Sequence, residues 1–269
     1  MKRKIIILLA ITLLAIIIFL PQMTSALLYY PTGLSKERKE YISKTLKIEE
    51  IQISVENDTL VGWFIKANKE TAPIILYFGG NAEEVSYNIE LFSNNFRFID
   101  YSLALVNYRG YGESSGKPTE KDLFSDAEKI YDYFSNKKGK EEKKIICIGR
   151  SLGSGIAVYL ASKRKISKVI LITPYDSILE VAKNKFPALL VNLILNDKYE
   201  SVKYIKDVKC PVLLLCAERD EVIPVAHALK LYENIESTKK IEIIENARHN
   251  TITEDKKFWM KLNEFIAEK

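Results

Sequence analysis

Two hydrophobic patterns divide this chain. Residues 48–55 and 59–65 alternate apolar and polar positions around Asn57-Asp58, which predicts a leading β-hairpin. From residue 73 onward the apolar positions come in short runs, nearly unbroken at 73–78, 101–107, 143–148, 168–172 and 210–216, with a last strand-like stretch at 240–244 that Lys240 and Glu242 interrupt. Such runs suit strands buried on both faces. Between them, 82–94, 119–136, 152–164, 224–234 and 253–267 carry helical spacing. Strands that alternate with helices predict an α/β domain, its sheet mostly parallel and covered on both faces. In such a sheet, ligands and chemistry gather in the loops at the carboxyl ends of the strands. No internal repeat or low-complexity tract interrupts the pattern.

The first residues follow neither pattern. Lys2-Arg3-Lys4 precedes an almost wholly apolar stretch at 5–20. As helix this stretch would span roughly 24 Å at 1.5 Å per residue, a little short of the ~30 Å hydrocarbon core. The basic flank predicts a single-pass membrane anchor with its N-terminus cytoplasmic and the rest of the chain on the far side. The alternative is a cleaved signal ending at Thr24-Ser25-Ala26, which would give a secreted or periplasmic product. The expected organisation is therefore an anchor or signal over 1–28 and one domain over 29–269.

Charge and composition narrow the chemistry. Of the formal charge of +5, three units sit on Lys2, Arg3 and Lys4, leaving the body near +2 with its charges interspersed. That is no nucleic-acid footprint. Two histidines and three scattered cysteines make a zinc site an unsuitable reading. No phosphate-cradling loop is present, so no cofactor is expected. Cys210 and Cys216 share one run and cannot pair without bending it; free thiols are expected.

The most informative segment is Gly149-Arg150-Ser151-Leu152-Gly153, set between the run at 143–148 and the helical stretch from 152. A strand, a Gly-x-Ser-x-Gly turn and a helix make a nucleophile elbow, which presents the serine hydroxyl at a strand end. A base for Ser151 must be a histidine. His249 lies in a loop after the run at 240–244, whereas His227 lies in a first helical turn and reads as a surface or packing residue. Asp220, after the run at 210–216, is the preferred acid; Asp176 and Glu218 are alternatives. An oxyanion hole needs two backbone N–H groups. Leu152 supplies one, and Asn81, in Gly79-Gly80-Asn81-Ala82 after the run at 73–78, supplies the other.

These segments resemble serine hydrolases of the alpha/beta-hydrolase superfamily, in particular membrane-tethered, single-pass hydrolases with a minimal lid. The likeness is carried by Tyr77-Phe78-Gly79-Gly80-Asn81-Ala82, by Asn107-Tyr108-Arg109-Gly110-Tyr111-Gly112-Glu113-Ser114-Ser115-Gly116, and by the elbow. With Asp220 and His249 it spans roughly residues 48–269. One departure stands out: the family's usual histidine before the oxyanion glycine is Gly79 here. The resemblance implies the alpha/beta-hydrolase fold, a Ser151–Asp220–His249 triad and hydrolysis of ester or thioester bonds through an acyl-enzyme. The implied substrates are small-molecule or lipid acyl compounds. A serine peptidase and a non-catalytic binding module are the alternative functions. Arg109-Gly110-Tyr111-Gly112 reads as a turn-builder. The lid position falls at 176–206, whose apolar run at 186–195 suits either an acyl pocket or a packed helix.

Overall fold

A computed structural model of the protein describes residues 28–96, 100–136 and 144–268. The anchor or signal expected over 1–28 lies almost wholly outside the described residues. Among the described residues, no helix is long and apolar enough to cross a membrane.

β1 (Glu49–Val55) and β2 (Asp58–Ile65) pair antiparallel as the alternation predicts. The turn sits one residue earlier than Asn57-Asp58. Val55 pairs with Asp58, and Glu56 takes the left-handed backbone at φ 49°. Asp58 is drawn into the strand because its carboxylate is engaged: Arg109 Nη1 donates to it at 2.9 Å and Ser115 Oγ at 2.9 Å.

The remaining strands are β3 (Ile74–Phe78), β4 (Ser102–Val106), β5 (Ile145–Arg150), β6 (Lys168–Ile172), β7 (Val212–Ala217) and β8 (Lys239–Ile244). All eight join one sheet in the order β1-β2-β4-β3-β5-β6-β7-β8, parallel from β4 onward. The short unbroken runs became strands for the reason the pattern suggested: β3, β4 and β7 are buried at every position.

Helices cover both faces. α1 (Lys36–Tyr41) and its continuing wider turn at Ile42–Leu46 come first, then α2 (Asn88–Asn95), α3 (Glu120–Ser135) and α4 (Leu152–Lys163). Three short helices fill the segment after β6: α5 (Ile178–Lys183), α6 (Ala188–Ile194) and α7 (Ser201–Tyr204). α8 (Val225–Glu233) and α9 (Lys256–Ala267) complete the chain. Ile74, Leu76, Cys147 and Leu171 pack on one side with Phe124 of α3, Ile156 of α4 and Leu231 of α8. Ile75, Tyr77, Ile146 and Ile170 pack on the other with Phe92 of α2 and Phe258 and Leu262 of α9. This is the alpha/beta-hydrolase fold, with its antiparallel hairpin at one edge.

Two helical expectations shift. The helix expected from residue 82 begins only at Asn88, after a tight turn at Val85–Tyr87. Side chains hold the preceding loop extended: Val85 N donates to Asn107 Oδ1 at 3.1 Å and Asn107 Nδ2 to Glu84 Oε1 at 2.9 Å. In the insert, the apolar run forms α6, which buries only Val191. It is therefore not a packed cover helix.

Candidate active site

β5 ends at Arg150, and α4 begins at Leu152. Ser151 alone makes the reversal, with φ 49° and ψ −117°. A non-glycine residue in such a conformation stores roughly 1–3 kcal/mol and persists only where its surroundings hold it. Here they do. Ser151 N donates to Ile172 O of β6 at 2.9 Å, and Ser154 returns to Ser151 O through both its N–H (2.9 Å) and its hydroxyl (2.7 Å). The flanking glycines are needed for close approach. A Cβ on Gly153 would collide with the Phe78 carbonyl, and one on Gly149 would lie 2.8 Å from Ala157 Cβ and strike the Gly153 carbonyl.

Three loops at the carboxyl edge meet at Ser151. His249 Nε2 lies 3.0 Å from Ser151 Oγ, and His249 Nδ1 lies 2.8 Å and 3.0 Å from the two Asp220 carboxylate oxygens. The carboxylate only accepts, so Nδ1 carries the proton and Nε2 is left to accept from the serine hydroxyl. Asp220 is itself fixed, because Val222 N and Ile223 N donate to its Oδ1 at 2.9 Å and 2.7 Å. The loops bearing Asp220 and His249 are laced together by Glu218 N to Ile244 O, Arg219 N to Ala247 O and Asn246 N to Glu218 Oε2. His249 and the Asp220 side chain are buried, whereas Ser151 is partly open.

The loop after β3 passes directly against the serine. A Cβ on Gly80 would stand 3.6 Å from Ser151 Cβ. Asn81 is the next residue. Its side chain bonds outward, accepting from Tyr30 N (2.8 Å) and Tyr111 OH (2.8 Å) and donating to Leu28 O (2.7 Å). Leu152 opens α4, so its amide has no partner carbonyl within the helix and sits at the positive end of the helix dipole. Tyr108 OH donates to Gly79 O at 2.8 Å and Tyr175 OH to Leu152 O at 3.0 Å. Burial pushes both phenols far above their usual range, so both stay protonated and able to donate.

Sequence reasoning missed Glu83. Its Oε1 accepts from Tyr77 OH and Asn88 Nδ2, both at 2.6 Å, and its Oε2 from Gly80 N at 2.8 Å and Arg150 Nη1 at 3.0 Å. Arg150 Nη2 continues to Asn250 Oδ1 at 3.3 Å. One carboxylate thus fastens the loop after β3 to the elbow, and through Arg150 to the residue beside His249. A Cβ on Gly79 would lie 3.0 Å from Glu83 Oε1. The glycine that replaces the family's histidine therefore leaves the room this carboxylate fills. The signal was present as that departure, four residues ahead of an acid.

The alternative residues lie outside the Asp220–His249–Ser151 relay. Asp176 bonds His227 Nδ1 (2.7 Å) and Lys230 Nζ (2.7 Å), and His227 Nε2 lies 2.6 Å from Asn184 Nδ2. His227 is buried in a polar cluster at the insert, so of the two expectations it is the packing residue and not the surface one, and its packing is polar. Glu218 accepts from the Asn246 amide. Arg109 makes the expected framework: its Nε and Nη2 both donate to the buried Asp126 carboxylate of α3 at 2.8 Å. Cys147, Cys210 and Cys216 are free thiols; Cys147 and Cys216 are buried and Cys210 partly so.

Residues 73–198 match the family model for the alpha/beta hydrolase fold, and residues 181–256 match that for serine aminopeptidases of the S33 type. An uncharacterised membrane protein of Saccharomyces cerevisiae is 31% identical over 224 residues, 81% of this chain and 78% of its own. Alpha/beta hydrolase domain-containing protein 17C of Mus musculus is 30% identical over 230 residues, 85% of this chain and 71% of its own. Among solved structures, the Pyrococcus furiosus esterase Pf2001 superposes with a TM-score of 0.68 at 20% identity, over 88% of this chain and 98% of its own. An elbow serine within reach of a histidine, on this sheet and among these relatives, places the chain in the alpha/beta hydrolase family.

Proposed function

We propose that the protein is a serine hydrolase that cleaves carboxylic ester or thioester bonds. The observation that carries the reading is the continuous relay from Asp220 through His249 to Ser151, with Nε2 3.0 Å from Oγ. In this reading Ser151 Oγ attacks the acyl carbon while His249 Nε2 takes its proton. Asp220 holds the imidazole in the required tautomer and stabilises the cation that forms. The amides of Asn81 and Leu152 donate to the oxyanion. The tetrahedral intermediate collapses as His249 returns the proton to the leaving group, giving an acyl-enzyme. His249 then takes a proton from a water as that water attacks the acyl carbon, and returns the proton to Ser151 Oγ as the C–Oγ bond breaks, releasing the acid and regenerating both residues.

Residues 1–28 anchor this domain to a membrane, with the domain on the side opposite the basic N-terminal flank. The apolar stretch at 5–20 supports this placement, and one relative bears the description of a membrane protein. A serine peptidase is the second reading. The match of residues 181–256 to a serine aminopeptidase model favours it, and the same relay would serve it.

A substrate panel separates them. The full chain in detergent micelles is offered p-nitrophenyl acyl esters of increasing length, acyl thioesters and aminoacyl p-nitroanilides. Turnover of esters or thioesters is expected, with anilides inert. Turnover of anilides alone would assign the peptidase instead. No turnover, with no labelling by a fluorophosphonate, would make the domain a non-catalytic binding module.

A further inference from the structure

The insert between β6 and β7 carries apolar surface that the catalytic reading does not use. Phe186, Leu189 and Leu193 are 59%, 84% and 69% exposed, and Leu190 is exposed beside them. Leu189, Leu190 and Leu193 share one face of α6, and Phe186 stands in the bend just ahead of it, before Pro187. α6 keeps only Val191 inside, and residues 184–190, Lys185 among them, are exposed without a break. A contiguous apolar face of this kind is the mark of a surface that meets something apolar.

What it meets is indicated by where the rest of the chain arrives. The described residues begin at Leu28, whose carbonyl is held by Asn81 Nδ2 in the loop beside Ser151. Tyr29 OH and Tyr199 OH are 2.7 Å apart, and Tyr199 lies at the close of the insert. The Tyr30 ring is exposed at the same place. The apolar stretch at 5–20 therefore joins the domain between the insert and the loop after β3. Only residues 21–27 separate that stretch from Leu28. Even fully extended they reach about 25 Å, so a bilayer holding 5–20 lies within that leash of Leu28, whose neighbour Tyr29 is tied to the insert through Tyr199.

We infer that the Phe186–Leu189–Leu190–Leu193 face rests in the interfacial layer of the phospholipid bilayer that holds residues 5–20. The inference builds on the anchored reading and adds a second, separate contact. A short helix with an apolar face and a neighbouring lysine is suited to that layer, with Lys185 reaching the headgroups. The consequence concerns substrate. With the insert seated in the interface, the open side of Ser151 draws on acyl groups that stay embedded in the membrane, so amphiphilic acyl compounds are the favoured class.

The test uses the full chain reconstituted in phosphatidylcholine vesicles. Leu193→Cys carries an environment-sensitive fluorophore, with Met260→Cys on α9 as the control and the signal of the unsubstituted chain subtracted. The label at 193 is expected to shift to the blue and to be quenched by lipids bearing a shallow nitroxide; the label at 260 should do neither. A vesicle-bound chain whose 193 label is unquenched overturns the inference and leaves the anchor standing. A blue shift without quenching overturns it as well, in favour of cover by residues 5–20 themselves or by a second copy. A chain that does not float with vesicles overturns both the anchor and the inference. As a second measure, Leu189→Ser combined with Leu193→Ser should raise KM for a vesicle-borne ester about tenfold. Its kcat/KM for a water-soluble ester should be unchanged, and equal kinetics on both substrates would contradict the seat in the interface.

Discussion

Gly153 shows how narrowly a single residue decides this site. Its missing Cβ lets the first turn of α4 lie against the Phe78 carbonyl, which brings the loop after β3 up to Ser151. Gly153→Ala should cost about 3 kcal/mol or more in folding stability, because the obstacle is backbone and not a movable side chain. A thermal melt unchanged from that of the native chain would contradict the packing described. Glu83 works at the same scale by charge and hydrogen bonding. Glu83→Ala releases the Gly80 amide, Tyr77 and Arg150 together, so the groups around the oxyanion lose their fixed positions. We expect kcat to fall about tenfold while KM changes little, since the affected interactions act on charge that develops in the transition state. Glu83→Gln keeps an acceptor for the Gly80 amide and should recover part of the loss. Unaltered kcat in both variants would show that the clamp is only structural.

At the scale of elements, the insert is fastened by polar contacts where the sheet is fastened by apolar ones. Asp176 follows β6, His227 and Lys230 lie on α8, and Asn184 follows α5. Burial alone would raise the Asp176 carboxyl, but hydrogen bonds from His227 and Lys230 outweigh it and hold the group below its ordinary range. A carboxyl lowered by folding stabilises the native state above its unfolded value of about 3.9. That contribution is lost as pH falls through the lowered native value. Asp176→Asn should therefore cost about 1–3 kcal/mol near neutral pH, and the gap to the native chain should narrow as pH drops below 4. Melting curves at pH 7 and pH 3 check this, and a gap that widened in acid would refute it. Elements also show where reading the sequence succeeds and fails. β3 to β7 were legible because a strand buried on both faces can hold little but apolar residues. α1 was not: its KERKEY is charged along its length, and its place comes from Arg38, which pairs with Glu90 at 2.7 Å and lies over the Tyr87 ring. The turn at 56–57 was displaced for a similar reason, since Asp58 answers to Arg109, far along the chain.

At the scale of the whole molecule, the legible part of the site is the part set by covalent neighbours. Ser151 was marked by its own glycines, and His249 and Asp220 by their places after strands. The Glu83 clamp and the Asp176–His227 cluster depend on side chains brought together by the fold, and no local pattern announces them. The exposed face of α6 belongs to the same class, because an apolar run of that length reads the same whether it turns inward or outward. The chain as a whole is organised around one edge of its sheet, where the elbow, both partner loops, the insert and the start of the described chain converge.

The central claim is that Ser151 is the nucleophile, activated by His249. The most direct measurement treats the native chain, Ser151→Ala and His249→Ala with a fluorophosphonate and locates the adduct by mass spectrometry. One adduct is expected on Ser151 in the native chain, none in Ser151→Ala, and labelling slowed by about a thousandfold or more in His249→Ala. An adduct on another residue, or a native chain that remains unlabelled while folded, would contradict the claim.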